Sequence, residues 1–268
     1  MRHAIITGGS SGIGLAIACQ LAQQGNVNLS IIARSPTKLQ VAQTRIQEAS
    51  TDVQQQCLTL KADVAQRSNI EQAIATAIEK FGAPDLLITS AGMAHPGYFQ
   101  ELPLEIFEQT MAVNYFGTLY AIRAALPAMS AQKRGQIVMI SSGAGLVGLF
   151  GYTPYSPSKF ALRGLAESLR GELKSQGIQV AIAYPPDTDT PQLAAENLTK
   201  PPETKLITET AQMWTAERVA ATILRGIQRQ QFVITPGLEM QLLYRLHSLL
   251  APVLQWYFDR LVARARQH

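Results

Sequence analysis

Short apolar runs alternate along the chain with longer segments in which apolar residues recur every three or four positions. The runs are four to six residues long and rich in β-branched side chains, as in AIIT, NLSIIA, CLTLKA, DLLIT, QIVMIS, QVAIAY and QFVIT. Such runs are typical of strands buried on both faces. The segments between them, such as SNIEQAIATAIEKFG, have the period of amphipathic helices. The pattern therefore predicts an α/β protein with a parallel seven-stranded sheet and helices on both faces.

Two parts of the chain depart from this alternation. A polar insertion covers about residues 186–213, and residues 238–268 form an amphipathic segment after the last predicted strand. We therefore expect a domain over residues 1–237 that includes the insertion as a substrate loop, followed by a C-terminal amphipathic helix.

Composition narrows the class of protein. Hydrophobic residues make up 47% of the 268 residues and charged residues 16%, which indicates a folded chain. The net charge of +4 is too small to favour a nucleic-acid partner. The two cysteines, Cys19 and Cys57, belong to no motif, so we expect a reducing compartment and no metal site. No export signal and no membrane-spanning run is predicted, which favours a cytoplasmic location.

The segment TGGSSGIG, residues 7–14, follows the first predicted strand and opens the first helix. Gly8 permits a tight turn, and Gly12 and Gly14 allow close approach of a pyrophosphate to the helix N-terminus. The loop therefore predicts a dinucleotide site, to which Ser10, Ser11 and Ile13 would also contribute.

The spacing TGxxxGxG resembles that of the short-chain dehydrogenase/reductase family, and further motifs extend the resemblance over almost the whole chain. It implies a Rossmann-type, doubly wound fold. The pair Asp63-Val64 is similar to the family's adenine-contacting pair, and Ser90-Ala91-Gly92 stands where the family usually has Asn-Ala-Gly. The family's catalytic residues correspond, in order and spacing, to Asn114, Ser142, Tyr155 and Lys159.

The end of the second strand indicates which nicotinamide cofactor is bound. NAD-binding proteins carry an acid there for the ribose 2′-hydroxyl. This chain has Ala33 followed by Arg34, with Lys38 one helical turn further on. A guanidinium binds a 2′-phosphate that a carboxylate would repel, so we expect NADPH.

Tyr155 and Lys159 lie four residues apart and would share one face of a helix. An ammonium beside a phenol favours the phenolate, so we expect Lys159 to lower the pKa of Tyr155 and make it a usable proton donor. The resemblance implies that Lys159 also holds the nicotinamide ribose, that Ser142 binds the substrate carbonyl and that Asn114 holds a water leading to solvent.

The segment YPPDTDTP, residues 184–191, follows the sixth strand. Thr190 is a predicted helix N-cap with Pro191 as the first helical residue. The resemblance implies that Pro185, Thr188 and Thr190 border the cofactor. This segment and its continuation are similar to the branch of the family that reduces the 3-keto group of long-chain sphingoid bases, 3-ketosphinganine to sphinganine, with NADPH. That substrate carries an ammonium beside the ketone, so we expect Asp187 or Asp189 to bind it.

The last segment has an apolar stripe formed by Leu242, Leu246, Leu249, Val253 and Tyr257 and widened by neighbouring leucines. It predicts an amphipathic helix, kinked at Pro252. Two interpretations stay open: a helix that docks on the domain or on a second copy, and a helix that lies in a membrane interface. We expect a homo-oligomer and peripheral membrane contact through residues 238–268, which would place the protein at the membrane surface.

Two other functions compete with reduction of a sphingoid ketone. The first keeps the enzyme class and changes the substrate to another lipophilic ketone or alcohol, namely a steroid, a retinoid or an acyl chain. The second is a binding protein that senses NADP(H), although such a protein could dispense with Tyr155 and Lys159, and this chain has both.

Overall fold

Seven parallel strands form the central sheet. The computed structural model describes residues 1–209 and 212–266. The strand order is β3-β2-β1-β4-β5-β6-β9, and β7 pairs with β8 apart from the sheet. All seven predicted strands are confirmed. The strands are β1 Arg2–Thr7, β2 Val27–Ala33, β3 Cys57–Lys61, β4 Leu86–Thr89, β5 Gly135–Ile140, β6 Ile178–Ala183, β7 Thr188–Asp189, β8 Trp214–Thr215 and β9 Val233–Ile234.

Helices cover both faces of this sheet, as the alternating pattern predicts. A π-helix, Ala112–Phe116, joins α4 to α5, and one 3₁₀ turn covers Gly143–Gly145. The α-helices are α1 Gly12–Gln24, α2 Pro36–Ala49, α3 Arg67–Phe81, α4 Leu104–Met111, α5 Gly117–Gln132, α6 Tyr155–Lys174, α7 Pro191–Thr199, α8 Pro202–Thr208, α9 Ala216–Gln228 and α10 Leu238–Ala265.

The core consists of two apolar layers, one on each side of the sheet. Neighbouring residues of β1 show why the strands are apolar without interruption. Ile6 packs with α1, α2 and α9, whereas Ile5 packs with α3, α5 and α6 on the other face. Successive side chains of a strand point to opposite faces, so both must be apolar when both faces are covered.

The strand order reverses direction between β1 and β4, which are neighbours in the sheet although β2 and β3 lie between them in the chain. In open parallel sheets this reversal opens a crevice at the carboxyl ends of the strands. The fold therefore places the loops after β1, β2, β4, β5 and β6 around one crevice.

The two parts of the chain that depart from the alternation lie beside this crevice. Within residues 186–213 the structure contains β7, α7 and α8, and residues 210 and 211 lie outside the described residues. Helix α10 packs against α8 and runs as one helix through Pro252. Within the described ranges, no helix combines the length and apolar character needed to cross a bilayer.

Candidate active site

A cavity of about 620 Å³ occupies the crevice at the carboxyl ends of the strands. Its wall brings together the glycine-rich turn after β1, the end of β2, the loops after β4, β5 and β6, helix α7 and one face of α10. Most of the residues predicted for the cofactor and for catalysis therefore border one space.

The turn after β1 has a backbone that only glycine accommodates. Gly8 has a φ of 70°, and a Cβ at that position would lie 2.6 Å from the backbone nitrogen of Ala91. Helix α1 begins at Gly12, so its N-terminus opens on the cavity together with Ser10, Ser11 and Ile13. Gly14 does not line the cavity, because it packs against the backbone of Gly8. The turn fits the pyrophosphate of a dinucleotide.

The end of β2 brings two cations to the edge of the cavity. Arg34 and Lys38 are both exposed and both line it. Between them, the Ser35 hydroxyl accepts a hydrogen bond from the Lys38 backbone N–H at 3.3 Å and caps α2. This corner suits a phosphate group.

The remaining residues predicted to bind the cofactor line the cavity, with the exception of Asp63. Asp63 does not line the cavity; its Oδ1 accepts a hydrogen bond from the backbone N–H of Ala65 at 3.0 Å. Thr188 is buried in the wall and donates its hydroxyl to the carbonyl oxygen of Pro186 at 2.8 Å. Thr190 caps α7 as predicted, accepting from the Leu193 N–H at 3.2 Å. The others that line the cavity are Val64, Ser90, Ala91, Gly92 and Pro185.

Ser142, Tyr155 and Lys159 meet in the wall at the carboxyl end of β5. The Lys159 Nζ donates to the carbonyl oxygen of Ile140 at 3.0 Å and lies 5.5 Å from the centre of the Tyr155 ring. Ser142 and Gln192 line the cavity beside the Tyr155 hydroxyl. Helix α6 begins at Tyr155, which puts Tyr155 and Lys159 on the same face one turn apart.

Asn114 lies behind this group rather than in the cavity wall. It sits in the π-helix and is fully buried. Its Oδ1 accepts from the Met93 N–H at 2.8 Å, and its Nδ2 donates to the Met93 carbonyl oxygen and to the Ser158 Oγ, both at 2.9 Å. Asn114 therefore ties the loop after β4 to helix α6, and the predicted water relay stays a prediction.

Burial controls the protonation of Tyr155 and Lys159, the predicted catalytic pair. Lys159 is 5% exposed, and desolvation lowers its pKa to about 8. Desolvation, followed by the charge of Glu196, raises the pKa of Tyr155 well above its ordinary value, although Ser142 and Gln192 act in the opposite direction. The expected lowering of the Tyr155 pKa is therefore wrong, because the spacing of the two residues does not show their burial. Tyr155 carries its proton at neutral pH.

Helix α7 adds two residues that the sequence reasoning missed. Gln192 and Glu196 lie one turn apart and both line the cavity. The Gln192 Nε2 donates to Glu196 Oε1 at 2.8 Å, and the Tyr152 hydroxyl donates to Glu196 Oε2 at 2.7 Å. The four-residue spacing of Gln192 and Glu196 was the available signal, once Thr190 marked the start of the helix.

The two aspartates expected at the substrate lie in different surroundings. Asp187 lines the cavity, and burial raises its pKa while the charge of Lys200 acts against that rise. Asp189 is exposed, lies in β7 and does not line the cavity.

Helix α10 supplies the apolar wall of the cavity, through Met240, Leu243, Leu254, Tyr257 and Phe258.

Two groups of polar contacts hold α10 in this place. At its end, the Arg266 Nε lies 3.2 Å from Glu203 Oε1, and Glu203 Oε2 also accepts from the Tyr98 hydroxyl at 2.9 Å. Near its middle, the Arg163 Nη1 lies 3.1 Å from the His247 Nε2. The docking interpretation of α10 is thus confirmed for one of its faces.

The chain matches known proteins over nearly its whole length. It is 44% identical over 252 residues to a 3-ketodihydrosphingosine reductase of Bos taurus, covering 94% of this chain and 76% of that protein. It is 40% identical to a protein of the same name from Dictyostelium discoideum, covering 98% of this chain and 82% of that one.

Solved structures share the fold. A short-chain dehydrogenase from Sphingobium yanoikuyae in complex with NADPH has a TM-score of 0.80 at 24% identity, over 95% of both chains. A short chain dehydrogenase/reductase from Burkholderia phymatum in complex with NAD has a TM-score of 0.82 at 23% identity, over 94% of this chain and 95% of that one. The family model described as short chain dehydrogenase matches residues 2–201. The chain belongs to the short-chain dehydrogenase/reductase family.

Proposed function

We propose that the protein reduces the 3-keto group of a long-chain sphingoid base, 3-ketosphinganine to sphinganine, with NADPH. The observation that carries this proposal is a single cavity in which the Tyr155 hydroxyl shares the wall with the apolar face of α10. Reduction of a ketone on a long hydrocarbon chain needs a proton donor for the ketone oxygen and an apolar surface for the chain. The names of the relatives at 40–44% identity support the same substrate.

The residues that line the cavity support a dinucleotide with a 2′-phosphate as the cofactor. The turn at Gly8 and the N-terminus of α1 would hold the pyrophosphate, and Arg34 with Lys38 would hold the 2′-phosphate. Lys159 would hold the nicotinamide ribose. Bound in this place, NADPH would supply a hydride to the ketone carbon.

The catalytic residues supply the proton that the ketone oxygen takes up when the carbonyl is reduced. Tyr155 donates its proton to the ketone oxygen as general acid, and Ser142 hydrogen-bonds to the same oxygen. Lys159, next to the Tyr155 ring, returns a proton to the phenolate. Asn114 acts through the backbone of Met93 and through Ser158, which keep α6 and the loop after β4 in register.

Turnover separates this proposal from the two competing functions. NADPH oxidation is measured with 3-ketosphinganine, a steroid ketone and a β-ketoacyl thioester under the same conditions. We expect the highest kcat/KM with 3-ketosphinganine. A higher value with either of the other ketones would assign another lipophilic substrate, and nucleotide binding without any turnover would indicate a sensor of NADP(H).

We also propose that α10 makes peripheral contact with a membrane on the cytoplasmic side. The face of α10 turned away from the cavity is apolar, with Leu249 77% exposed, Trp256 59% exposed, and Leu242 and Val253 also open to solvent. Arg260, whose guanidinium lies 5.4 Å from the centre of the Trp256 ring, adds a positive charge beside that face. Exposed apolar surface edged by aromatic and basic residues is typical of interfacial helices.

Variants on the exposed faces of α10 test this contact without disturbing the cavity. Leu249→Glu with Val253→Glu places two carboxylates on the apolar face, whereas Ser248→Glu with Gln255→Glu adds the same charge to the polar face. We expect wild type and the second variant to float with anionic liposomes and the first variant to stay in solution. Equal flotation of both variants would contradict the membrane role. If the first variant alone changes the oligomeric state, the face belongs to the predicted homo-oligomer.

A further inference from the structure

Glu196 is a nearly buried carboxylate in the wall of the catalytic cavity. It is 7% exposed, and it takes part in none of the ion pairs of the described part of the chain. Taking a carboxylate out of water without a directly paired cation is costly. Lys159 interacts with Glu196 through its charge but forms no ion pair with it, so the carboxylate suits a cavity that receives a positively charged ligand.

The position of Glu196 fits a charge next to the reacting centre. Glu196 accepts hydrogen bonds from Gln192 Nε2 at 2.8 Å and from the Tyr152 hydroxyl at 2.7 Å. The centre of the Tyr152 ring lies 5.6 Å from that of the Tyr155 ring, and the charge of Glu196 raises the pKa of Tyr155, so the carboxylate lies close to the hydroxyl that protonates the ketone. A group on the carbon next to the ketone comes within reach of Glu196 when the ketone oxygen meets Tyr155.

Glu196 also keeps free capacity to accept hydrogen bonds. Its two oxygens each accept one donor, from Gln192 and from Tyr152. An ionised carboxylate has about four lone-pair sites, and a primary ammonium has three N–H donors. The carboxylate can thus bind an ammonium without losing its present partners, which fix its orientation.

The two aspartates of the loop after β6 suit this role less well. Asp187 lines the cavity, and the charge of Lys200 acts on it, as that of Lys159 acts on Glu196. Asp189 is exposed and outside the cavity wall. Glu196 differs from both because it lies in the cavity wall and its carboxylate is oriented by hydrogen bonds from Gln192 and Tyr152.

We infer that Glu196 forms a cation subsite that binds the primary ammonium on the carbon next to the substrate ketone. This inference rests on the proposed function and specifies which group of the sphingoid base the enzyme selects. It assigns to α7 the distinction between an α-amino ketone and a neutral long-chain ketone.

The test compares kcat/KM for 3-ketosphinganine and for the same ketone with hydrogen in place of the amino group. A charge-assisted hydrogen bond is worth enough to give wild type a preference for the amine of about 10–100-fold. Glu196→Gln keeps the shape of the side chain and removes its charge, so we expect the ratio of the two kcat/KM values to fall to near unity. Because the charge of Glu196 also raises the pKa of Tyr155, its removal changes proton transfer for both ketones alike, and this effect cancels in the ratio. Tyr152→Phe removes one hydrogen bond and keeps the charge, so it should retain the preference.

The outcomes separate the inference from the function on which it rests. Absence of wild-type turnover on 3-ketosphinganine refutes the proposed function and this subsite with it. If wild type turns over both ketones without preference, or if Glu196→Gln loses rate equally on both, the reductase stands and the subsite is refuted. Loss of the preference in Asp187→Asn but not in Glu196→Gln would transfer the role to Asp187. If Glu196→Gln does not fold, absence of a wild-type preference still refutes the subsite, and a preference that Asp187→Asn retains supports it.

Discussion

Replacing Lys159 by methionine should stabilise the folded protein at neutral pH while abolishing turnover. Burial lowers the pKa of Lys159 from 10.5 to about 8, so the folded state disfavours the charged amine. At about 1.4 kcal/mol for each pKa unit, this shift corresponds to about 3 kcal/mol of instability at pH 7. Methionine removes that cost but leaves the carbonyl oxygen of Ile140 without its donor, a loss of about 1–3 kcal/mol. The expected net gain is about 0–2 kcal/mol, or a rise in Tm of up to ~8 °C.

The pH dependence of this gain is the sharper measurement. The unfolded state binds more protons than the folded state between about pH 8 and 10.5, so wild type becomes more stable as pH rises through that window. The Tm difference between Lys159→Met and wild type, measured without nucleotide, should therefore be largest at pH 7 and vanish or reverse by pH 10.5. Lys61→Met, at an exposed lysine, serves as control and should show a flat difference. A difference for Lys159→Met that does not change with pH would refute the reasoning.

Three further predictions concern turnover. Tyr155→Phe should reduce kcat by about 10²–10⁴-fold with NADPH binding kept, because only the proton donor is lost; near wild-type turnover would rule out the mechanism. Arg34→Ala should raise the KM for NADPH about 10–100-fold with little change for NADH, because one charge-assisted hydrogen bond is lost; an equal rise for both would show that Arg34 does not touch the 2′-phosphate. Reductive kcat should fall above about pH 8 as Lys159 loses its proton, and a plateau reaching pH 10 would show that its charge is not needed.

The sheet and the placement of Tyr155 and Lys159 on one helix face were predictable because they depend on local pattern. A strand covered on both faces must be apolar throughout, so each of the seven runs marked a strand of the sheet. Tyr155 and Lys159 were predictable as a pair because helical spacing fixes their relative position. Their burial was not, because it depends on packing by α7 and the loops around them, and so the direction of the Tyr155 pKa was wrong.

The position of Glu196 in the cavity wall and the division of α10 into a docked and an exposed face depend on tertiary structure. Helix α7 is short, and its sequence does not show which side packs on the cavity. In α10 the sequence shows a broad apolar stripe, but Leu243 and Leu254 line the cavity while Leu249 and Val253 stay exposed. Only the contacts of α10 with α8 and with Arg163 divide the stripe into a docked half and an open half.

The place of α10 in the chain has a consequence for synthesis on the ribosome. All seven strands and the glycine-rich turn precede Leu238, whereas the apolar wall of the cavity comes from the 28 residues of α10. At about 5–20 residues per second, α10 is translated ~1–6 s after the last strand. The nascent sheet can therefore form the edge that would bind the nucleotide while the surface that α10 later covers is still exposed to solvent. We therefore expect chaperones that bind apolar surface to act on the unfinished protein in that interval.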